Sequence, residues 1–307
     1  MKINRYYLAA IAAFVIWGFI PFPLRAVSDY ASSQIMFYRI SFALLGTIIL
    51  LLTLKRKALQ SDWQKFRSES GLSRRKLLTV MTTASLLLSF NWLLFIYVVN
   101  KVSVQAGSFS YLICPILTSL LGYLVLSEKL LRNQWLAISL SAVSCSLVAS
   151  GSFLGMVMSL LVATSYAFYL IAQRKFQGYD KIVLLGVQLS ISFLVIAPWY
   201  WLTLPAGGAM LPDGHFLTQT LILGVIFTIL PLFLNLFALK ELSSGTVGIL
   251  MYINPLINFT MAFLYFGEMA SPQQVVAYVL IFLSIVVYNW HLVSAGRKSV
   301  AVAAEIK

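Results

Sequence analysis

The chain has 307 residues, 60% of them hydrophobic and only 10% charged, with a mean hydropathy of +0.90. Soluble domains carry about 25% charged residues and cannot bury this much apolar surface, which excludes a soluble enzyme or binding module. The net charge of +13 raises the question of a nucleic-acid partner, and the placement of the charges answers it.

Roughly 20 apolar residues cross a bilayer as a helix. Ten such segments run near 6–26, 34–54, 77–99, 103–126, 133–150, 152–172, 182–204, 216–239, 245–266 and 272–294. Backbone in lipid must bond internally, and the alternation of a barrel strand is absent, so helices are expected. Of the 22 Lys and Arg, 19 fall in alternate gaps: before the first span, in 55–76, 129–132 and 174–181, at Lys240 and after residue 296. The other gaps hold only Arg25 and Lys101, while Arg39 lies within a span. This positive-inside pattern predicts a multi-pass membrane chain with both termini cytoplasmic. The basic excess then marks orientation in the lipid bilayer, with no nucleic-acid partner.

The first span contains Trp17-Gly18-Phe19-Ile20-Pro21-Phe22-Pro23. Two prolines and a glycine predict a broken helix or a helix end with a tight turn. Tyr38-Arg39 lies in the second span. A charge at that depth costs ~2.5–3.5 kcal/mol on insertion scales, so Arg39 either faces a cavity or snorkels to the outer headgroups. In the polar loop 55–76, Leu59, Trp63 and Phe66 share one helical face, which suggests an interfacial helix. Asn91-Trp92 lies in the third span; the amide suits either helix–helix bonding or ligand contact. A short turn is expected near Asn100-Lys101.

Residues 97–137 repeat, without a gap, 140 positions on. Pro115 meets Pro255 and Glu128 meets Glu268, preserving a Pro-x12-Glu frame. A second echo sets Trp17 and Arg25 against Tyr166 and Arg174. Internal repeats in a membrane chain suggest a transporter. The fold expected is an all-α membrane protein of ten transmembrane helices in two inverted five-helix repeats, 1–151 and 152–296, with a cytoplasmic tail 297–307. Pro115 and Pro255 each lack an amide hydrogen. Freed carbonyls at these two kinks serve either a binding centre between the repeats or packing alone. Tyr111 flanks the first kink, and Tyr252 and Asn254 flank the second.

No motif for zinc, a nucleotide, a dinucleotide or a serine nucleophile is present, and His215 and His291 have no partner spacing. Neither catalysis nor a cofactor or metal is expected. Cys114 and Cys145 read as packing thiols.

These residues resemble the drug/metabolite transporter superfamily of EamA type, and within it the RarD proteins. The resemblance covers nearly the whole chain and is strongest in NWLLFIYVVN (91–100), the Pro115 span to Ser127-Glu128, and 134–137. It implies ten helices in two EamA repeats and export of amino acids or metabolites; RarD proteins are labelled chloramphenicol-sensitivity permeases. Tyr38-Arg39 stands where the family often has His-Arg, so no histidine role carries over. The function expected is a permease of the inner (plasma) membrane that exports a small-molecule substrate, a metabolite, amino acid or drug, by alternating access. The candidate substrate site is Trp17, Tyr38, Arg39, Asn91, Trp92, Tyr111, Tyr252 and Asn254. The alternatives are a lipid-linked carrier flippase or an accessory membrane subunit.

Reporter fusions after Arg67 and after Gly208 are expected to report opposite sides of the membrane. Signals from the same side would contradict the inverted arrangement.

Overall fold

The computed structural model describes residues 5–127, 129–173, 176, 178–202, 212–238, 241–242 and 250–305. Glu128, Arg174, Lys240, the loop 203–211 and residues 243–249 of the expected ninth span lie outside them. Every regular element among the described residues is a helix. The first half contains α1 (Arg5–Gly18), α2 (Pro21–Arg25), α3 (Ser32–Thr53), α4 (Arg56–Ser68), α5 (Gly71–Tyr97), α6 (Val104–Leu126) and α7 (Arg132–Gly151). The second contains α8 (Phe153–Gln173), α9 (Lys181–Leu202), α10 (Gly214–Gly224), α11 (Leu230–Ala238), α12 (Ile253–Leu264) and α13 (Pro272–Glu305). Among the described residues, 7 helices are long and apolar enough to cross a membrane, with shorter apolar helices at Ile253–Leu264 and Pro272–Tyr288.

Local chemistry sets the boundaries. The first span breaks after Gly18, and Pro21 opens α2, where a missing amide hydrogen costs nothing. The turn expected at Asn100-Lys101 instead falls at Ser103. A π-helical turn, Val98–Val102, carries α5 past Asn100. Ser103 then adopts extended backbone, and its hydroxyl accepts the Ala106 N–H at 3.0 Å. Serine is a strong N-cap, whereas Asn100 and Lys101 can stay helical. Ser271 caps α13 the same way, exchanging bonds with Gln274 at 2.8 and 3.3 Å.

The helix pairs are related by exchange of the halves. α1 lies on α11 as α8 lies on α5; α6 lies on α8 as α12 lies on α1. Three pairs map onto themselves: α3 with α9, α6 with α12, and α7 with α13. α3 and α9 are both 22 residues long, and 149 positions separate both their starts (181 − 32) and their ends (202 − 53). The α7–α13 seam is closed by fully buried Ala137 and Ala277. Ser144 donates to the Ala277 carbonyl at 2.7 Å and Ser141 to Ser284 at 3.0 Å. Small residues and hydroxyls replace the hydrophobic driving force that lipid removes.

The ion pairs among the described residues lie at the two ends of the bundle. At one, α4 is amphipathic, with Leu59, Trp63 and Phe66 lining an apolar groove against α5 and α9. Lys55 Nζ donates to Asp180 at 2.6 Å, and the Asp180 amide donates to Asp62 at 2.8 Å. Asp180 also accepts the Ile182 N–H at 2.9 Å at the start of α9. At the opposite end, Glu268 accepts from Arg25 Nη2 at 2.8 Å and from the Val104 and Gln105 amides at 2.7 and 3.0 Å. Those amides open α6, where a carboxylate is favoured by the helix dipole.

Burial alone would raise the Asp180 pKa. The Lys55 hydrogen bond and charge, with the Ile182 and Val183 amides, outweigh it and hold the carboxyl below its usual range. A carboxylate held low stabilises the fold above its unfolded pKa and loses that contribution as pH falls through the folded value. Asp180→Asn keeps the cap and removes the charge. It is expected to cost about 0.5–1 kcal/mol near pH 7, as a lower apparent melting temperature in detergent. The gap to the parent should close on acidification; a gap that widens contradicts the clasp.

Candidate functional site

A cavity of about 100 Å³ lies between the halves. It is lined from the first half by Trp17, Ile20, Arg39, Leu88, Trp92, Phe95 and Tyr111. The second half supplies Tyr166, Tyr169, Leu185, Phe227, Thr228, Leu232, Met251 and Asn254. Five of the eight candidate site residues therefore meet at one place: Trp17, Arg39, Trp92, Tyr111 and Asn254.

Among the described residues of that lining Arg39 supplies the only formal charge, and it is 3% exposed. Its Nε and Nη2 donate to Thr228 Oγ1 at 3.3 and 3.2 Å. The guanidinium carbon lies 4.6 Å from the centre of the Trp92 ring, a cation–π arrangement. No carboxylate pairs with it among the described residues. Thr228 reaches Arg39 because α10 and α3 approach closely at Gly224. A Cβ there would stand 2.9 Å from the Arg39 carbonyl oxygen and 3.0 Å from the Ala43 amide nitrogen. Thr228 itself donates to the Leu223 carbonyl at 2.8 Å within the π-helical turn Val225–Ile229. Both its lone pairs are then available to Arg39.

Trp17 is fixed by a missing donor. Pro231 has no amide hydrogen to give the Phe227 carbonyl four residues earlier. That carbonyl accepts the Trp17 indole N–H at 3.1 Å, tying α1 to the kinked eighth segment. Tyr111 meets Phe95 and Tyr166 edge to face, with centroids 5.2 and 5.9 Å away. Asn254 accepts from Asn258 at 2.9 Å, which sets the orientation of its amide.

The lining repeats itself. Trp17 and Ile20 stand 149 positions before Tyr166 and Tyr169 (166 − 17, 169 − 20). Leu88, Trp92 and Tyr111 stand 140 before Thr228, Leu232 and Met251 (228 − 88, 232 − 92, 251 − 111). Both offsets are those of the sequence repeats, so the cavity straddles the relation between the halves. Arg39 breaks it: 149 positions on stands Gln188, buried and bonded to the Tyr169 hydroxyl at 3.3 Å.

Three candidates lie elsewhere. Tyr38 meets Phe216 edge to face at 5.2 Å, beside α10. Asn91 is fully buried and donates to the Val162 carbonyl at 2.8 Å and to Ser165 at 3.1 Å, joining α5 to α8. Tyr252 packs in a cluster with Phe109, Phe259 and Tyr278. Pro115 stands inside α6. Pro255 is the third residue of α12, where a helix needs no amide donor. Phe227, Thr228 and Tyr169 were not singled out from sequence. Pro231, four residues beyond Phe227, is the signal that could have found the first.

The EamA-like transporter family matches this chain twice, over residues 4–150 and 153–290. An uncharacterized transporter of Vibrio cholerae serotype O1 is 30% identical, covering 94% of this chain and 93% of its own. A Protein RarD of Streptomyces exfoliatus is 29% identical over 95% and 90%. A chloramphenicol-sensitive protein RarD of Pseudomonas aeruginosa is 25% identical over 95% of each. One solved structure superposes with a TM-score of 0.61 over 92% of this chain and 95% of its own, at 15% identity, and shares the fold alone. On the two matches and the full-length relatives, the chain belongs to the EamA-like transporter family.

Proposed function

We propose that this chain is an inner-membrane permease that exports a small metabolite, amino acid or drug by alternating access. In this reading ten spans form two inverted repeats, 1–151 and 152–296, and the residues from 297 on form a cytoplasmic tail. The α4 end, rich in Lys and Arg, faces the cytoplasm, and the Glu268 end faces outward. The observation that carries it is a cavity lined by repeat-related residues of both halves and by the buried Arg39. Transporters bind between their repeats and expose the site by moving one against the other. The Arg25–Glu268 contact holds the outward end together in the conformation described.

The volume bounds the cargo. Drug-sized ligands occupy roughly 300–1,000 Å³, so a cavity of about 100 Å³ admits only a small molecule in this conformation. The cavity lining contains no Asp, Glu or His among the described residues. Proton relays in membranes generally use those side chains. Facilitated diffusion or exchange therefore fits better than obligatory coupling through a carboxylate in the cavity.

An untargeted metabolite comparison of overexpressing and deletion cells would find the substrate, and proteoliposomes of the purified chain should then move it. Counterflow is expected with no pH gradient imposed. Strict dependence on the gradient, lost in Glu268→Gln, would instead make that carboxylate the coupling group. Absence of any flux by the purified chain would favour a flippase or accessory subunit.

A further inference from the structure

The class of molecule that fits the cavity follows from its charge balance. Arg39 is a full positive charge, 3% exposed, whose polar partner among the described residues is the neutral Thr228 hydroxyl. Isolated charge at membrane depth is costly and is normally met by a counter-charge or a water-filled space. The two ion pairs among the described residues use Arg25 and Lys55, at the ends of the bundle. The cavity lining brings no carboxylate among the described residues. Arg39 thus has the requirement of half an ion pair, and the empty half opens on the cavity.

The geometry narrows the anion further. Thr228 takes Nε and one Nη2 hydrogen, which leaves Nη1 and the second Nη2 hydrogen as a two-pronged donor edge. That edge matches the two oxygens of a carboxylate. Trp92 covers one face of the guanidinium at 4.6 Å, so the anion approaches in the guanidinium plane. The remaining walls are mainly the rings of Trp17, Phe95, Tyr111, Tyr166, Tyr169 and Phe227, with aliphatic neighbours and the Asn254 amide, suited to a flat, largely apolar body.

Resting on the reading of this cavity as the substrate site, we propose that it takes a small monocarboxylate with a flat apolar body, bound as a monoanion in preference to a zwitterion. A monoanion brings the cavity to neutrality. A zwitterion leaves it with a net positive charge, because its ammonium finds no acidic side chain among the described residues of the lining. A dianion leaves the opposite excess. Thr228 acts as a positioning residue that turns the free donor edge inward.

The test is equilibrium binding of radiolabelled benzoate to the purified full chain in nanodiscs, with unlabelled benzamide, phenylalanine and chloride as competitors. Saturable binding is expected. Benzamide, isosteric and neutral, and zwitterionic phenylalanine should each compete at least about tenfold more weakly, a difference of about 1.4 kcal/mol. Arg39→Gln should abolish the preference for benzoate over benzamide. Arg39→Lys should keep the preference and bind more weakly, because it retains charge without the planar edge. Thr228→Val should weaken benzoate while leaving benzamide unchanged. Melting temperatures near that of the parent certify the variants, and if Arg39→Gln does not fold, the benzoate-to-benzamide ratio in the parent and Thr228→Val decides. Equal binding of benzoate and benzamide, tighter binding of phenylalanine, chloride displacing benzoate at equal concentration, or an unchanged preference in Arg39→Gln would each overturn the proposal. Benzoate bound in this way and not moved in proteoliposomes would overturn the transport reading and leave the anion site standing. Carriage of a neutral or zwitterionic solute without benzoate binding would do the reverse.

Discussion

An arginine that is 3% exposed inside an apolar bundle constrains everything around its guanidinium. Its neighbours must share its charge without neutralising it. Thr228 does so by accepting two of its hydrogens, and Trp92 by presenting a ring face. Those contacts depend in turn on backbone. Thr228 is within reach because Gly224 lets α10 touch α3, and because a π-helical turn rotates the segment that follows. A side chain at 224 would push against the backbone that carries Arg39. The charge, the glycine and the π turn form one unit, contributed by both halves of the chain.

Prolines shape the same region by subtraction. Pro231 withholds a donor from the Phe227 carbonyl, and the Trp17 indole occupies it. A carbonyl without its helical partner in lipid has to find another, so the kink and the indole contact are coupled. This places an aromatic wall of the cavity on a hydrogen bond between the first and eighth segments. Pro255 differs, standing at the start of its described helix, where its missing amide hydrogen removes no bond.

The helices were legible because lipid imposes one length and one composition on a spanning segment. The family resemblance and the repeat were legible because Pro115, Glu268 and their neighbours keep a fixed spacing. The site was legible only in part, and the reason is angular. Successive helical residues point about 100° apart, so Tyr38-Arg39 and Asn91-Trp92 could not both send two side chains into one cavity. Arg39 and Trp92 line it; Tyr38 and Asn91 turn to neighbouring helices. Thr228 and Phe227 were hidden for another reason. Each is ordinary in an apolar helix, and what distinguishes it is a partner some 189 or 210 positions away in the chain.

Glu268 binds a guanidinium and two helix-start amides with two oxygens. Its three donors come from two separate stretches of the first half, and the acceptor comes from the second. Displacing that carboxylate by an ångström or two strands all three donors together, since none has a second acidic neighbour among the described residues. Bonds that share one acceptor fail as a set. In the proposed alternating access, parting of the bundle at this end would therefore break all three bonds in one step.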